Sequence, residues 1–140
     1  MKQLHVFLLG LLILFASGCN STAKLNPLST LTGNSWILTS LMGSELDLGK
    51  FSAGPPTLNF LEGGNLAGFA GCNNFSGGFS LEGTNLKLDP GAVTKKACPG
   101  TGEDEFLSAL EKVKNLKVEK EKLTLMDGAT ELMSFIPKKD

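Results

Sequence analysis

From residue 35 onward the chain is a succession of short apolar-rich stretches separated by Gly, Asn, Asp and Ser. The cleanest alternation is Lys122-Leu123-Thr124-Leu125, where a period of two puts Leu123 and Leu125 on one face of an extended strand. Met133 and Phe135 then come to face them across a turn at Asp127-Gly128. Similar stretches predict strands over 35–41, 57–61, 65–70, 78–81, 85–88, 116–119, 122–126 and 131–136. Between them, Glu62-Gly63-Gly64, Ser76-Gly77-Gly78, Glu82-Gly83-Thr84, Lys120-Glu121 and Asp127-Gly128 carry turn chemistry. Strands this short, joined by turns this tight, predict an antiparallel sheet. One segment changes period: Phe106, Leu107, Leu110 and Val113 recur at helical spacing after Thr101-Gly102-Glu103-Asp104, a capping-box start. The triplet Glu103, Asp104, Glu105 then lies at the positive end of the helix dipole, with Lys112, Lys114 and Lys117 towards the negative end. Calcium binding by the acidic triplet is the alternative, but the dipole explains it with nothing added. One amphipathic helix is therefore expected to pack on the sheet, over a core containing Trp36, Phe60, Phe69, Phe75, Phe79, Phe106 and Phe135.

The first eighteen residues have a different pattern. Met1, Lys2 and His5 precede an unbroken apolar run, Val6 to Phe15, and Ala16-Ser17-Gly18 leads into Cys19. This is the charged start, apolar middle and small-residue cleavage site of an export signal. Ten apolar residues are half of what a membrane-spanning helix needs. Ala-Ser-Gly-Cys resembles a bacterial lipobox, in which Cys19 is acylated on sulfur and becomes the mature N-terminus. Each buried methylene of an acyl chain adds about 0.8 kcal/mol, so two or three chains make the attachment effectively permanent. Residues 19–30 read as a flexible tether and residues 31–137 as the folded domain. Enteric lipoproteins held in the inner membrane carry Asp after the acylated Cys; this chain has Asn20, which points to the outer membrane, facing the periplasm, in a Gram-negative cell.

Removing 18 residues from the 140 leaves 122, the usual size of one domain. That mature part has no Arg, His, Gln or Tyr, because His5 and Gln3 both lie in the leader. Serine and cysteine hydrolase chemistry needs an imidazole, catalytic zinc usually takes one, and bidentate phosphate clamps favour Arg. A formal charge of −1 for the whole chain, near −2 once Lys2 goes with the leader (12 Lys against 14 carboxylates), and no basic run also argue against nucleic acid, whose affinity comes largely from phosphate neutralisation. Neither a catalytic site nor a metal or cofactor site is expected. Pro55-Pro56 and the glycines at 63 and 64 are not followed by the Gly-Lys-Ser/Thr of a phosphate loop.

With Cys19 spent on lipid, Cys72 and Cys98 remain, and two thiols in an oxidising compartment are usually paired. A structural disulfide is the main expectation. A redox-active pair is the competing one, although no Cys-x-x-Cys exists and only Lys95 and Lys96 supply nearby positive charge. Free, buried thiols are the third.

The segment Asn65-Leu66-Ala67-Gly68-Phe69-Ala70-Gly71-Cys72-Asn73-Asn74-Phe75-Ser76-Gly77-Gly78-Phe79 resembles the core motif of the META domain family, heat-shock lipoproteins among them. Gly33-x-x-Trp36-x-Leu38, Pro56-x-Leu58-x-Phe60, Thr94-x-x-Ala97-Cys98, Glu105-x-x-x-x-Leu110 and Leu123-x-Leu125 follow the family's order. Phe75 and Phe79 stand where Tyr is common, and Lys96 where Met often precedes Ala-Cys. The resemblance implies an α+β, mostly β fold: a small curved antiparallel sheet or partial, lipocalin-like barrel with one amphipathic helix against it. It brings no catalytic machinery and associates the family with envelope stress, motility or drug tolerance.

In the motif itself, Gly68, Gly71, Gly77 and Gly78 suit a bulge or tight bend, and Asn73 and Asn74 tolerate left-handed backbone and bond to their own main chain. That describes a turn pinned by a disulfide; a binding role for an exposed Asn pair is the alternative. Two functional readings remain open at this level. One is a non-enzymatic, lipid-anchored envelope protein, a stress or assembly accessory with an envelope protein partner. The other is a pilot-like carrier of an apolar peptide or lipid between helix and sheet.

Overall fold

The computed structural model describes residues 26–139; the leader, Cys19 and the start of the tether lie outside that range. A short helix α1 (Pro27–Thr32) precedes strand β1 (Ser35–Leu41), and β2 (Ser44–Glu45), β3 (Thr57–Leu61), β4 (Asn65–Phe69), β5 (Asn74–Glu82) and β6 (Asn85–Val93) follow. Helix α2 (Gly102–Glu111) then leads into β7 (Asn115–Glu119), β8 (Lys122–Asp127) and β9 (Thr130–Pro137). Every strand pairs antiparallel with its neighbour in the order β2-β1-β3-β4-β5-β6-β7-β8-β9, and β9 returns to pair with β1. Eight strands thus close into a barrel, with β2 a short addition outside the ring. The expectation of a curved, lipocalin-like α+β fold holds, and the curvature goes to full closure.

An eight-stranded barrel has an interior that side chains alone can fill. Here they do. Trp36, Phe60, Phe106, Phe135, Leu58, Leu66, Leu123 and Leu125 are at most 1% exposed. The alternation expected in β8 is realised, with Leu123 opposite Phe135 and Leu125 opposite Met133. Phe69 and Phe79, expected in the core, are only half-buried.

The two helices sit at opposite ends. Helix α2 sends Phe106 between Phe75 of β5 and Phe135 of β9, with ring centroids 6.1 and 6.5 Å away. Helix α1 crosses the other end, where Leu31 is fully buried and its carbonyl accepts a hydrogen bond from the indole of Trp36 at 3.1 Å. Residues 27–30, within the stretch expected to be tether, are helical. Asn26 caps the helix by accepting from the Leu28 N–H, and Pro27 occupies its first turn, where the missing N–H costs nothing.

Three local expectations are corrected. Ser76-Gly77-Gly78 is not a turn but the middle of a nine-residue strand. A Cβ on Gly77 would lie 2.0 Å from the Asp89 carbonyl, so glycine there allows β5 and β6 to approach across the irregular register at Phe75/Ser76. Thr101 precedes α2 without a capping bond from its side chain; its hydroxyl donates to Glu105 at 2.8 Å instead. The helix stops at Glu111, so Lys114 and Lys117 lie beyond it, paired with Asp127 and Glu119.

On β9, Glu131 accepts from the hydroxyls of Ser134 (2.7 Å) and Ser40 (3.1 Å). Those bonds, Ser134 first, hold its carboxyl below the ordinary glutamate value against some opposing desolvation. A depressed folded-state value contributes stability that is present above the unfolded glutamate range and is lost as pH falls through the folded one. Melting temperature measured down a pH series should therefore fall more steeply on acidification in the native chain than in Glu131→Gln. Parallel curves would show that the carboxylate contributes no such term.

Candidate functional site

The motif residues meet at the end of the barrel under α2. After β4 the chain turns sharply: the Ala70 N–H donates to the Asn73 carbonyl at 2.8 Å, and Gly71 takes φ of 102°. A Cβ on Gly71 would lie 2.3 Å from the Phe51 ring, and one on Gly102 would lie 2.6 Å from the same ring. Phe51, reached through a 3-10 turn at Leu48–Lys50, is buried across both glycines and joins the turn to the start of α2. Gly68 lies opposite Phe75 in the β4–β5 ladder, and a side chain on it would strike that ring.

Cys72 and Cys98 form a disulfide, with their Cα atoms 6.0 Å apart and a sequence separation of 26. It ties the turn to the 94–101 segment that leads from β6 to α2. On the loop-entropy estimate such a bridge contributes about 3.5 kcal/mol. Urea unfolding of the oxidised protein against the Cys72→Ser/Cys98→Ser double variant should show a loss of that order. A loss under about 1 kcal/mol would mean that the segment is held by its hydrogen bonds alone.

Those hydrogen bonds converge on Asn73. The expectation of an exposed, left-handed Asn pair is not met: Asn73 is 4% exposed and has negative φ, Met42 being the only non-glycine with positive φ among the described residues. Its amide donates to the Lys96 carbonyl (2.9 Å) and the Glu103 carboxylate (2.8 Å), while its oxygen accepts from the Thr94 hydroxyl (2.9 Å) and the Lys96 N–H (2.6 Å). Its backbone N–H donates to the other oxygen of Glu103 at 2.6 Å. All four side-chain hydrogen-bonding positions of Asn73 are used, and all reach across long sequence separations. Asn74 is exposed at the start of β5, and Thr94 braces it by hydrogen-bonding its N–H and carbonyl.

The acidic triplet is partitioned by these contacts. Glu103 is gripped by Asn73, and Glu105 pairs with Lys50 at 3.1 Å. The Thr101 hydroxyl first, then Lys50, holds the Glu105 carboxyl below its ordinary value. Beside the disulfide is a cleft of about 180 Å³ lined by Lys50, Lys96, Glu103 and Asp104, with Gly71 also on its wall. Its charges are two of each sign, so it favours neither an anion nor a cation. Cys72, Cys98, Gly71, Asn73 and the motif residue Thr94 are legible in the sequence here, but Phe51 and the Asn73–Glu103 link are not. No local spacing signals a bond across 30 residues.

A closed eight-stranded antiparallel barrel, filled by its own side chains, plugged by a helix and braced at one rim by a disulfide, is a lipocalin-like α+β protein. The chain belongs to the META domain family, whose model matches residues 29–140. No curated protein matches it significantly. Among solved structures it is similar to a protein from Burkholderia xenovorans determined by NMR, with TM-score 0.64, 23% identity, and coverage of 82% of this chain and 90% of that one. It is also similar to a DUF4847 family protein from Bacteroides vulgatus, with TM-score 0.60, 14% identity, and coverage of 79% and 96%. A further NMR structure has TM-score 0.61, 22% identity, and coverage of 79% and 93%. At these identities the likeness is one of fold.

Proposed function

We propose that this protein is a lipid-anchored envelope accessory, fixed by acylated Cys19 to the outer membrane of a Gram-negative cell and acting by contact with another envelope protein. The observation that carries the reading is the filled barrel. Phe106, Ala109 and Leu110 of α2 are at most 1% exposed and occupy the space between helix and sheet. An apolar cargo has no room there, which disfavours the carrier reading. Work must then be done on the outside, and META domains are a non-catalytic family. The disulfide-braced rim suits contact, because Cys72–Cys98 and the Asn73 bonds hold its backbone in one arrangement before any partner arrives. Preorganisation of this kind lowers the ordering cost of binding.

The test is photocrosslinking in intact cells from positions 96 and 104, both exposed on this rim. A discrete protein adduct shared by both positions, and absent from an equivalent probe at exposed position 87 on the barrel wall, is the expected result. No protein adduct from either rim position would remove the reading. Thiol-disulfide exchange by Cys72 and Cys98 would replace it if the double Ser variant, expressed at the normal level, lost function while still making the adduct.

A further inference from the structure

The barrel end opposite the disulfide carries a surface that contact through the rim leaves unused. Between α1 and the ends of β3 and β5 lies an open groove of about 430 Å³ walled by Leu28, Leu61, Phe79 and Leu81, with Glu62 as its single charge. Leu28 and Leu61 are 45% and 47% exposed, an arrangement water does not favour for two neighbouring leucines. Asn26, which caps α1, lies on the same groove, so the chain enters the domain at its edge. The C-terminal end of β9 is at this end too, where the Lys138 N–H bonds to the Ser35 carbonyl at 2.7 Å.

Chain length determines which way this groove faces. Asn26 is seven residues after Cys19. Seven residues span about 25 Å when fully extended and about 15 Å as a flexible coil. A domain of this size has a radius of gyration of about 13 Å and is therefore more than about 30 Å across. The tether is shorter than the domain is broad. An acyl anchor on Cys19 consequently keeps the α1 end nearest the lipid and turns the disulfide rim away from it. We infer that the α1 end docks on the bilayer surface, with Leu28 and Leu61 entering the boundary between headgroups and acyl chains. Amphipathic surfaces bind there through modest apolar area, and lysines close to the headgroups add to the attraction; Lys138 and Lys139 stand where they can do so. This inference rests on the lipid anchor of the proposed function. It extends that reading by giving the domain an orientation in which the braced rim is presented to partners.

The full-length protein in its native membrane tests it, with photoreactive benzoylphenylalanine in place of Leu28, Leu61 or Leu48. Leu48 is 60% exposed but lies beside the opposite rim, which makes it the control. After irradiation, intact-mass measurement should show phospholipid adducts at 28 and 61, at least tenfold above those at 48. The same spectra report whether Cys19 is acylated. An acylated chain with no lipid adduct at 28 or 61, with protein adducts there, or with equal lipid adducts at 48 would overturn the docking and leave the anchor standing. A chain without acyl mass would remove the anchor and the docking together.

Discussion

Replacing Asn73 with Ala is expected to destabilise the domain by about 4 kcal/mol, a large part of the 5–15 kcal/mol that holds a domain of this size together. The substitution leaves the Thr94 hydroxyl, both backbone groups of Lys96 and one oxygen of Glu103 without their partner. An unsatisfied buried group costs about 1–3 kcal/mol, and more for a charged one. Lys96 is exposed and Glu103 half-buried, so water recovers part of that sum and keeps the total near 4 rather than higher. Asn74→Ala, one residue away but exposed, is the control and should cost under about 0.5 kcal/mol. Urea unfolding at neutral pH with the disulfide intact measures both. Equal effects for the two asparagines would show that the hydrogen-bonded bracket does not stabilise the fold. Asn73 and the bridge brace the same segment, so combining Asn73→Ala with the double Ser variant should give less than the sum of the separate losses.

Phe106→Ala is the second large effect, at about 4 kcal/mol. Phe106 is fully buried, and it is the side chain through which α2 reaches both Phe75 on β5 and Phe135 on β9. Removing the ring leaves a cavity at the centre of the plugged end, where the surrounding strands cannot collapse without breaking the barrel. A ten-residue helix is too short to persist in water by propensity alone. The amides of α2 should therefore exchange with solvent faster than those of β8 and β9 in this variant, at matched global stability. Leu107→Ala, next along the helix but half-buried, is expected to cost about 1 kcal/mol. A Phe106 variant that matched it would place the helix outside the cooperative core.

The same rim shows how differently two neighbouring residues read from sequence. Cys72 has one candidate partner in the sequence if Cys19 is read as the lipid-bearing cysteine, and the structure pairs it with that candidate, Cys98. Asn73 suggested a turn residue bonded to its own backbone, which is what Asn most often does. Its actual partners lie 21 to 30 residues away and reach it only after β5, β6 and α2 are in place. Phe51 is similar: it stands outside any periodic stretch, and its role as the plate over Gly71 and Gly102 exists only in three dimensions. Helix α1 did carry local signals, Asn26 as cap and Pro27 in the first turn, but six residues are too few to show a helical period.

Local patterning by itself determined the antiparallel strands, the placing of Met133 and Phe135 opposite Leu125 and Leu123, the amphipathic face of α2 and the membership of the family. Each depends on near neighbours in the chain, on periodicity, or on a motif held in order. Tertiary structure decided that the sheet closes on itself, that Ser76-Gly77-Gly78 runs straight through a strand, and that Asn73 is an interior bracket. Closure requires β1 to meet β9, where Leu38 lies beside Phe135 almost a hundred residues later. Twist and stagger accumulated over all eight strands produce that meeting, and no single segment encodes it. The same closure places α1 and α2 at opposite ends, and so separates the groove beside Asn26 from the braced rim.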